Sequence, residues 1–144
     1  MSSSDEKRPS GCPIAFGLDI FGDRWTLLII REMMFGKKKT YGEFQAADEA
    51  ISTNILANRL KLLEVEGIVD KRRDPDNFRS FLYELTPKGY DLAPVMLEII
   101  RWSGRHDKRP DRLTEMVDRV KNDREGLEKE IQQRREGAIK RSSN

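Results

Sequence analysis

The chain has one cysteine and one histidine among its 144 residues. A lone cysteine, Cys12, excludes an internal disulfide and fits a reducing compartment. Cys12 and His106 lie too far apart in sequence to make the ligand spacing of a zinc site. No apolar run approaches the roughly eighteen residues of a membrane-spanning helix. The serine-rich start also lacks the apolar stretch of a secretory signal, so the protein is expected in the cytoplasm with no membrane partner. There is no nucleophile paired with a base, no glycine-rich phosphate loop, no metal spacing and no internal repeat. An enzyme is therefore not expected, nor a cofactor. His106, beside Asp107 where a helix should end, reads as a capping or surface group. Nor does charge of one sign dominate: 27 Lys and Arg against 25 Asp and Glu leave a formal net charge of +2. Any case for nucleic acid must rest on where the cations sit.

Charged residues make up 36% and hydrophobic ones 37% of the chain, which is polar for a compact domain and implies that part of it lies outside the core. Residues 1–11 read as a flexible tail, 12–106 as one folded domain and 107–144 as a charged helical extension. The expected fold is mainly α with a small β-hairpin.

The most informative stretch begins at Thr40. Thr40 and Glu43 have the spacing of a capping box, so a short helix starts at Tyr41. Ser52 caps a second helix that Gly67 stops, and Leu56, Leu60 and Leu63 share its inner face. Its other face offers Thr53, Asn54, Asn58 and Lys61, side chains able to reach base edges and phosphates. Ile68–Arg73 then reads as a strand, Asp74–Asn77 as a turn and Ser80–Leu85 as a second strand in which Phe81, Tyr83 and Leu85 alternate inward. Lys71, Arg72, Arg73 and Arg79 flank the turn, where cations can follow a phosphate backbone without being desolvated. Lys37, Lys38 and Lys39 stand directly before the first helix, also placed for phosphates. Helix, turn, helix and basic hairpin in this order predict a winged helix-turn-helix with double-stranded DNA as its partner. Its expected DNA face is Lys37, Lys38, Thr40, Tyr41, Ser52, Thr53, Asn54, Asn58, Lys61, Lys71, Arg72, Arg73 and Arg79. The alternative is a winged-helix protein-interaction module; a polar, basic face argues for DNA over it.

Upstream, Pro13 suits a first helical position, and the helix it starts is apolar on more than one face. Asp23 caps the next, Arg24–Phe35, with Trp25, Leu28, Ile29 and Met33 expected inside. Thr86 and Pro87 open a helix expected to run towards Trp102 and to kink at Pro94. The first and last of these helices carry more apolar surface than a small winged domain covers. A homodimer through Ile14, Phe16, Leu92, Val95, Met96, Ile99 and Trp102 would cover it. Beyond Gly104, Leu113, Met116, Val117, Val120, Leu127 and Ile131 predict one further helix, weakened at Gly126 and Gly137.

Taken in order, Cys12-Pro13, Gly22-Asp23-Arg24-Trp25-Thr26-Leu27-Leu28-Ile29, Ile51-Ser52, Leu56, Arg59-Leu60, Leu63, Gly67-Ile68-Val69, Tyr83-Glu84-Leu85-Thr86-Pro87-Lys88-Gly89 and Trp102 resemble the HxlR-type regulators, relatives of the MarR group. The resemblance spans about residues 12–105. It implies a homodimeric cytoplasmic transcription regulator that acts on a pseudo-palindromic operator and dimerises through its first and last helices. Ser52, Thr53 and Asn54 would then open the recognition helix and Arg79 would lie on the wing. Two features depart from the family pattern: acidic Asp74 and Asp76 in the wing turn, and a longer segment after residue 106. The resemblance also makes Cys12 the candidate effector site, for an oxidant or electrophile, because some members sense them through a cysteine at this position. Its place before Pro13, at the positive end of a helix dipole, favours a thiolate.

Overall fold

The computed structural model describes residues 10–36, 39–47 and 49–142. They form eight helices and a two-stranded hairpin: α1 Pro13–Phe21, α2 Arg24–Met34, α3 Tyr41–Gln45, α4 Thr53–Val65, β1 Val69–Asp74, β2 Asn77–Leu85, α5 Pro87–Tyr90, α6 Ala93–His106, α7 Glu115–Asn122 and α8 Arg124–Ser142. The chain divides into two compact units, Met1–Thr86 and Pro87–Asn144.

In the first unit the local chemistry of each helix end decides where it begins. Pro13 stands in the first turn of α1, where its missing amide hydrogen costs nothing. Gly22 closes α1 so tightly that a Cβ there would lie 2.4 Å from the Leu18 carbonyl oxygen. Asp23 caps α2 by accepting from the amides of Trp25 (2.9 Å) and Thr26 (3.2 Å). Thr40 and Glu43 complete the capping box of α3. α4 ends in a Schellman motif: the Ile68 amide donates to the Leu63 carbonyl and the Gly67 amide to that of Glu64, with Gly67 at φ +75°. The core holds Ile29, Ile30, Met33 and Met34 of α2, Phe44 of α3, Leu56, Leu60 and Leu63 of α4, and Val69, Tyr83 and Leu85 of the hairpin. The inner face of α2 is thus turned from the expected one: Thr26, Ile30 and Met34 lie inside, whereas Trp25 and Leu28 are only half-buried. Burying Thr26 brings its hydroxyl to the Asp23 carboxylate, so the capping contact sets the rotation of the helix.

The hairpin is antiparallel, with Val69 opposite Leu85, Lys71 opposite Tyr83 and Arg73 opposite Phe81, and a bulge at Arg73/Asp74. β2 begins at Asn77, three residues before the expected start, which shortens the turn to Pro75-Asp76. Thr40 bridges Leu82, and the Tyr83 amide donates to the Lys39 carbonyl at 2.7 Å, so the segment before α3 adds a third, minimal strand.

In the second unit the helix expected from Pro87 to Trp102 is broken. α5 stops at Tyr90, and α6 restarts at Ala93 with Pro94 in its first turn and runs on to His106. Proline forms a new N-terminus here instead of kinking a continuous helix. The Thr86 hydroxyl, expected to cap, reaches back to the carbonyls of Gly67 (2.6 Å) and Ile68 (3.1 Å). The single helix expected beyond Leu113 is likewise two, because Asp123 leaves the helical conformation (φ −148°) and accepts from the Gly126 amide at 3.2 Å. Leu113 is 87% exposed in the single chain. Val120, Leu127, Ile131 and Ala138 are buried, and α8 continues through Gly126 and Gly137 to Ser142. α6 and α7 meet closely at Gly104, where a Cβ would lie 2.4 Å from Val117 Cγ1.

Candidate nucleic-acid interface

α4 turns Ser52, Thr53, Asn54, Ala57, Asn58 and Lys61 outward, opposite the buried Leu56, Leu60 and Leu63. No carboxylate occurs between Ser52 and Leu63. The exposed strip therefore offers hydroxyl, amide and ammonium groups plus the Ala57 methyl, a set suited to base edges and phosphates.

The start of α4 is braced from two sides. Ser52 Oγ accepts from the Ile55 amide at 3.3 Å. From α3, the Tyr41 hydroxyl donates to the Thr53 carbonyl (2.7 Å) and the Gln45 amide donates to Thr53 Oγ1 (3.0 Å). Tyr41, expected at the DNA face, thus also holds the two helices of the motif together with Gln45, whereas Thr40 caps α3. Between α3 and α4 the chain turns at Ala50, the non-glycine residue found at positive φ (52°) among the described residues. Arg31 clamps this turn with a two-pronged ion pair to Glu49 at 2.9 and 2.7 Å, and that pairing holds the Glu49 carboxyl below the usual carboxylate range.

On the wing the cations divide by face. Lys71 Nζ lies 4.2 Å and the Arg73 guanidinium 4.7 Å from the centre of the Phe81 ring, both exposed. Arg73 also donates to the Phe78 carbonyl. Arg79 is exposed beside the turn. Arg72 points elsewhere: with Lys39 it converges on Glu84 Oε1, each at 3.1 Å, and the Glu84 side chain is only 8% exposed. Arg72, expected at the DNA face, is still 48% exposed at its side chain and also pairs with a carboxylate that β2 buries, a contact its spacing does not announce. Lys37 and Lys38 lie outside the described residues.

Two residues that site reasoning passed over sit behind the face. Arg59 donates through Nε to Asp23 Oδ1 at 2.9 Å and through Nη1 to Asn58 Oδ1 at 2.5 Å. Burial alone would raise the Asp23 pKa, but the hydrogen bonds from Arg59, Thr26 and Trp25 outweigh it and hold the group below its ordinary value. Arg59 stands in one of the family-like stretches, yet nothing in its spacing announces a partner 36 residues upstream.

Of the residues expected at a dimer interface, Ile14, Phe16, Ile99 and Trp102 are exposed (72%, 50%, 46% and 66%), Leu92 and Val95 are half-buried, and Met96 is buried. Cys12 is an exposed free thiol at the N-cap of α1, its amide donating to Ser10 Oγ at 3.1 Å. No helix among the described residues is long and apolar enough to cross a membrane.

Residues 20–111 match the model of the HxlR-like helix-turn-helix family. The HTH-type transcriptional regulator YvaP of Bacillus subtilis strain 168 is 37% identical over 86 residues, which cover 60% of this chain and 79% of YvaP. Among solved structures, the oxidised form of the redox regulator HypR superposes with a TM-score of 0.59 at 28% identity, covering 66% of this chain and 97% of HypR. The reduced form of the transcriptional regulator YodB from B. subtilis gives 0.58 at 30% identity, covering 71% and 100%. These relatives are transcription regulators, not enzymes. With a winged helix-turn-helix fold and this match over most of its length, the chain belongs to the HxlR-like helix-turn-helix family of DNA-binding transcription regulators.

Proposed function

We propose that the protein acts in the cytoplasm as a homodimer on a pseudo-palindromic operator, each subunit laying the Ser52–Lys61 stretch of α4 in the major groove. Lys71, Arg73 and Arg79 of the wing, with Lys37 and Lys38 before α3, would contact phosphates. The observation that carries this reading is the carboxylate-free strip Asn54, Ala57, Asn58 and Lys61 along the exposed side of α4. Dimerisation is supported by α1, a nine-residue helix with no buried residue although it carries Ile14, Phe16 and Leu18. A helix this apolar gains stability from covering that surface, and a second copy does so symmetrically.

Cys12 is the proposed effector site, on the strength of its exposure and of the likeness to a redox regulator. Two Cys12 thiols, or one and a small thiol, would form a disulfide, giving two electrons and two protons to an oxidant such as peroxide. A mobility-shift series tests the DNA face: Arg79→Ala should weaken binding to all duplexes, and Asn54→Ala should change which duplex is preferred. Unchanged affinity and preference in both variants would overturn the assignment.

A further inference from the structure

Asn58 and Arg59 are neighbours on α4, one exposed and one half-buried, and the second fixes the first. Arg59 reaches back across the unit to the cap of α2, where Asp23 already accepts from two amides and the Thr26 hydroxyl. Held there by Nε, the planar guanidinium turns Nη1 onto Asn58 Oδ1 at 2.5 Å. An asparagine reads adenine by using both ends of its amide, accepting from N6 and donating to N7. With Oδ1 anchored on a guanidinium, the end of the Asn58 amide that remains without that anchor is Nδ2, which can only donate.

We infer that Asp23 and Arg59 are positioning residues that set the base preference of the recognition helix: they present Asn58 as a donor, so that it reads an acceptor edge (a purine N7, guanine O6 or thymine O4) and rejects cytosine, and does not use the two-ended adenine pattern. The inference rests on α4 being the reading helix and concerns what one of its residues selects. It separates preference from affinity. Arg59 is 25% exposed at its side chain and committed to Asp23, so phosphate attraction and its salt dependence do not depend on it.

The test is selection from random duplexes with wild-type protein, Asn58→Ala, Arg59→Lys and Asp23→Asn, followed by titration of the selected duplex and an unrelated one at two salt concentrations. The base read by Asn58 is the one whose preference Asn58→Ala abolishes. Wild type should exclude cytosine there and show no strict preference for adenine. Arg59→Lys keeps the charge but loses the planar fork. It should lower discrimination at that base by roughly ten-fold, leaving the unrelated duplex and the salt slope unchanged. Combined with Asn58→Ala it should have no further effect at that position. Asp23→Asn, which keeps a good cap residue, should do the same if Arg59→Lys does not fold. A strict adenine preference in wild type, unchanged discrimination in both positioning variants, or an equal loss on all duplexes overturns the inference. Wild type that selects no sequence would instead overturn α4 as the reading helix.

Discussion

Arg72 and Arg79 lie on the same hairpin seven residues apart, the first paired with Glu84 and the second exposed beside the turn, so changing each to alanine should give opposite signatures. Arg72 shares the buried oxygen of Glu84 with Lys39, both cations at 3.1 Å. A hydrogen bond to a charged group contributes about 1.5–3 kcal/mol where it is shielded. The Arg72 side chain is 48% exposed, and solvent screening of an exposed partner brings this towards about 1 kcal/mol. Since Lys39 stays on Glu84, the loss in Arg72→Ala should be of that order, a fall in Tm of roughly 2–8 °C. Its slope of log affinity against log salt should not change, because no phosphate contact is lost. Arg79→Ala should leave Tm unchanged and flatten the salt slope by about 1, one phosphate contact released. Thermal melts and titrations of one duplex at several salt concentrations read both quantities. A flattened slope with an unchanged melt in Arg72→Ala would refute the assignment of Arg72 to Glu84.

Trp102→Glu should yield a folded monomer in sedimentation with little loss of thermal stability, since Trp102 is 66% exposed in the single chain; an intact dimer would place the interface elsewhere. Ile131→Ala, at a buried position of α8, should cost about 2–5 kcal/mol and lower the melting of the Pro87–Asn144 unit; an unchanged melt would show that α8 is not packed. The lowered Asp23 pKa predicts an acid effect of definite sign: its stabilisation is present above the unfolded value near 3.8 and is lost as pH falls through the lower folded value. Asp23→Asn should therefore show a shallower loss of stability below about pH 4 than wild type, and parallel acid curves would contradict this. Mild oxidation should change DNA affinity in the native protein and not in Cys12→Ser; equal responses would remove Cys12 as the effector site.

Much of the first unit was legible in the sequence because local chemistry decides it. The Thr40/Glu43 box, the Asp23 and Ser52 caps and Gly67 each act within a few residues, and all stand where their types predict. What spacing could not convey was contact at long range. Burial of Glu84 depends on Lys39 and Arg72 meeting it from two segments, and the inner face of α2 depends on Thr26 closing onto Asp23. Ala50 takes a conformation that glycine or asparagine would have announced. In the second unit the misreading was of continuity. The apolar periodicity of 87–102 and of 113–131 runs across both breaks, while Pro94 and Asp123 begin new helices there.

The most direct test of the account is selection of duplexes from a random pool by the native protein, followed by sedimentation of the protein on the selected site. Two inverted half-sites centred about one helical turn apart, or a multiple of it, are expected, with one dimer bound. Enrichment of no sequence, or a single half-site held by one subunit, would contradict it.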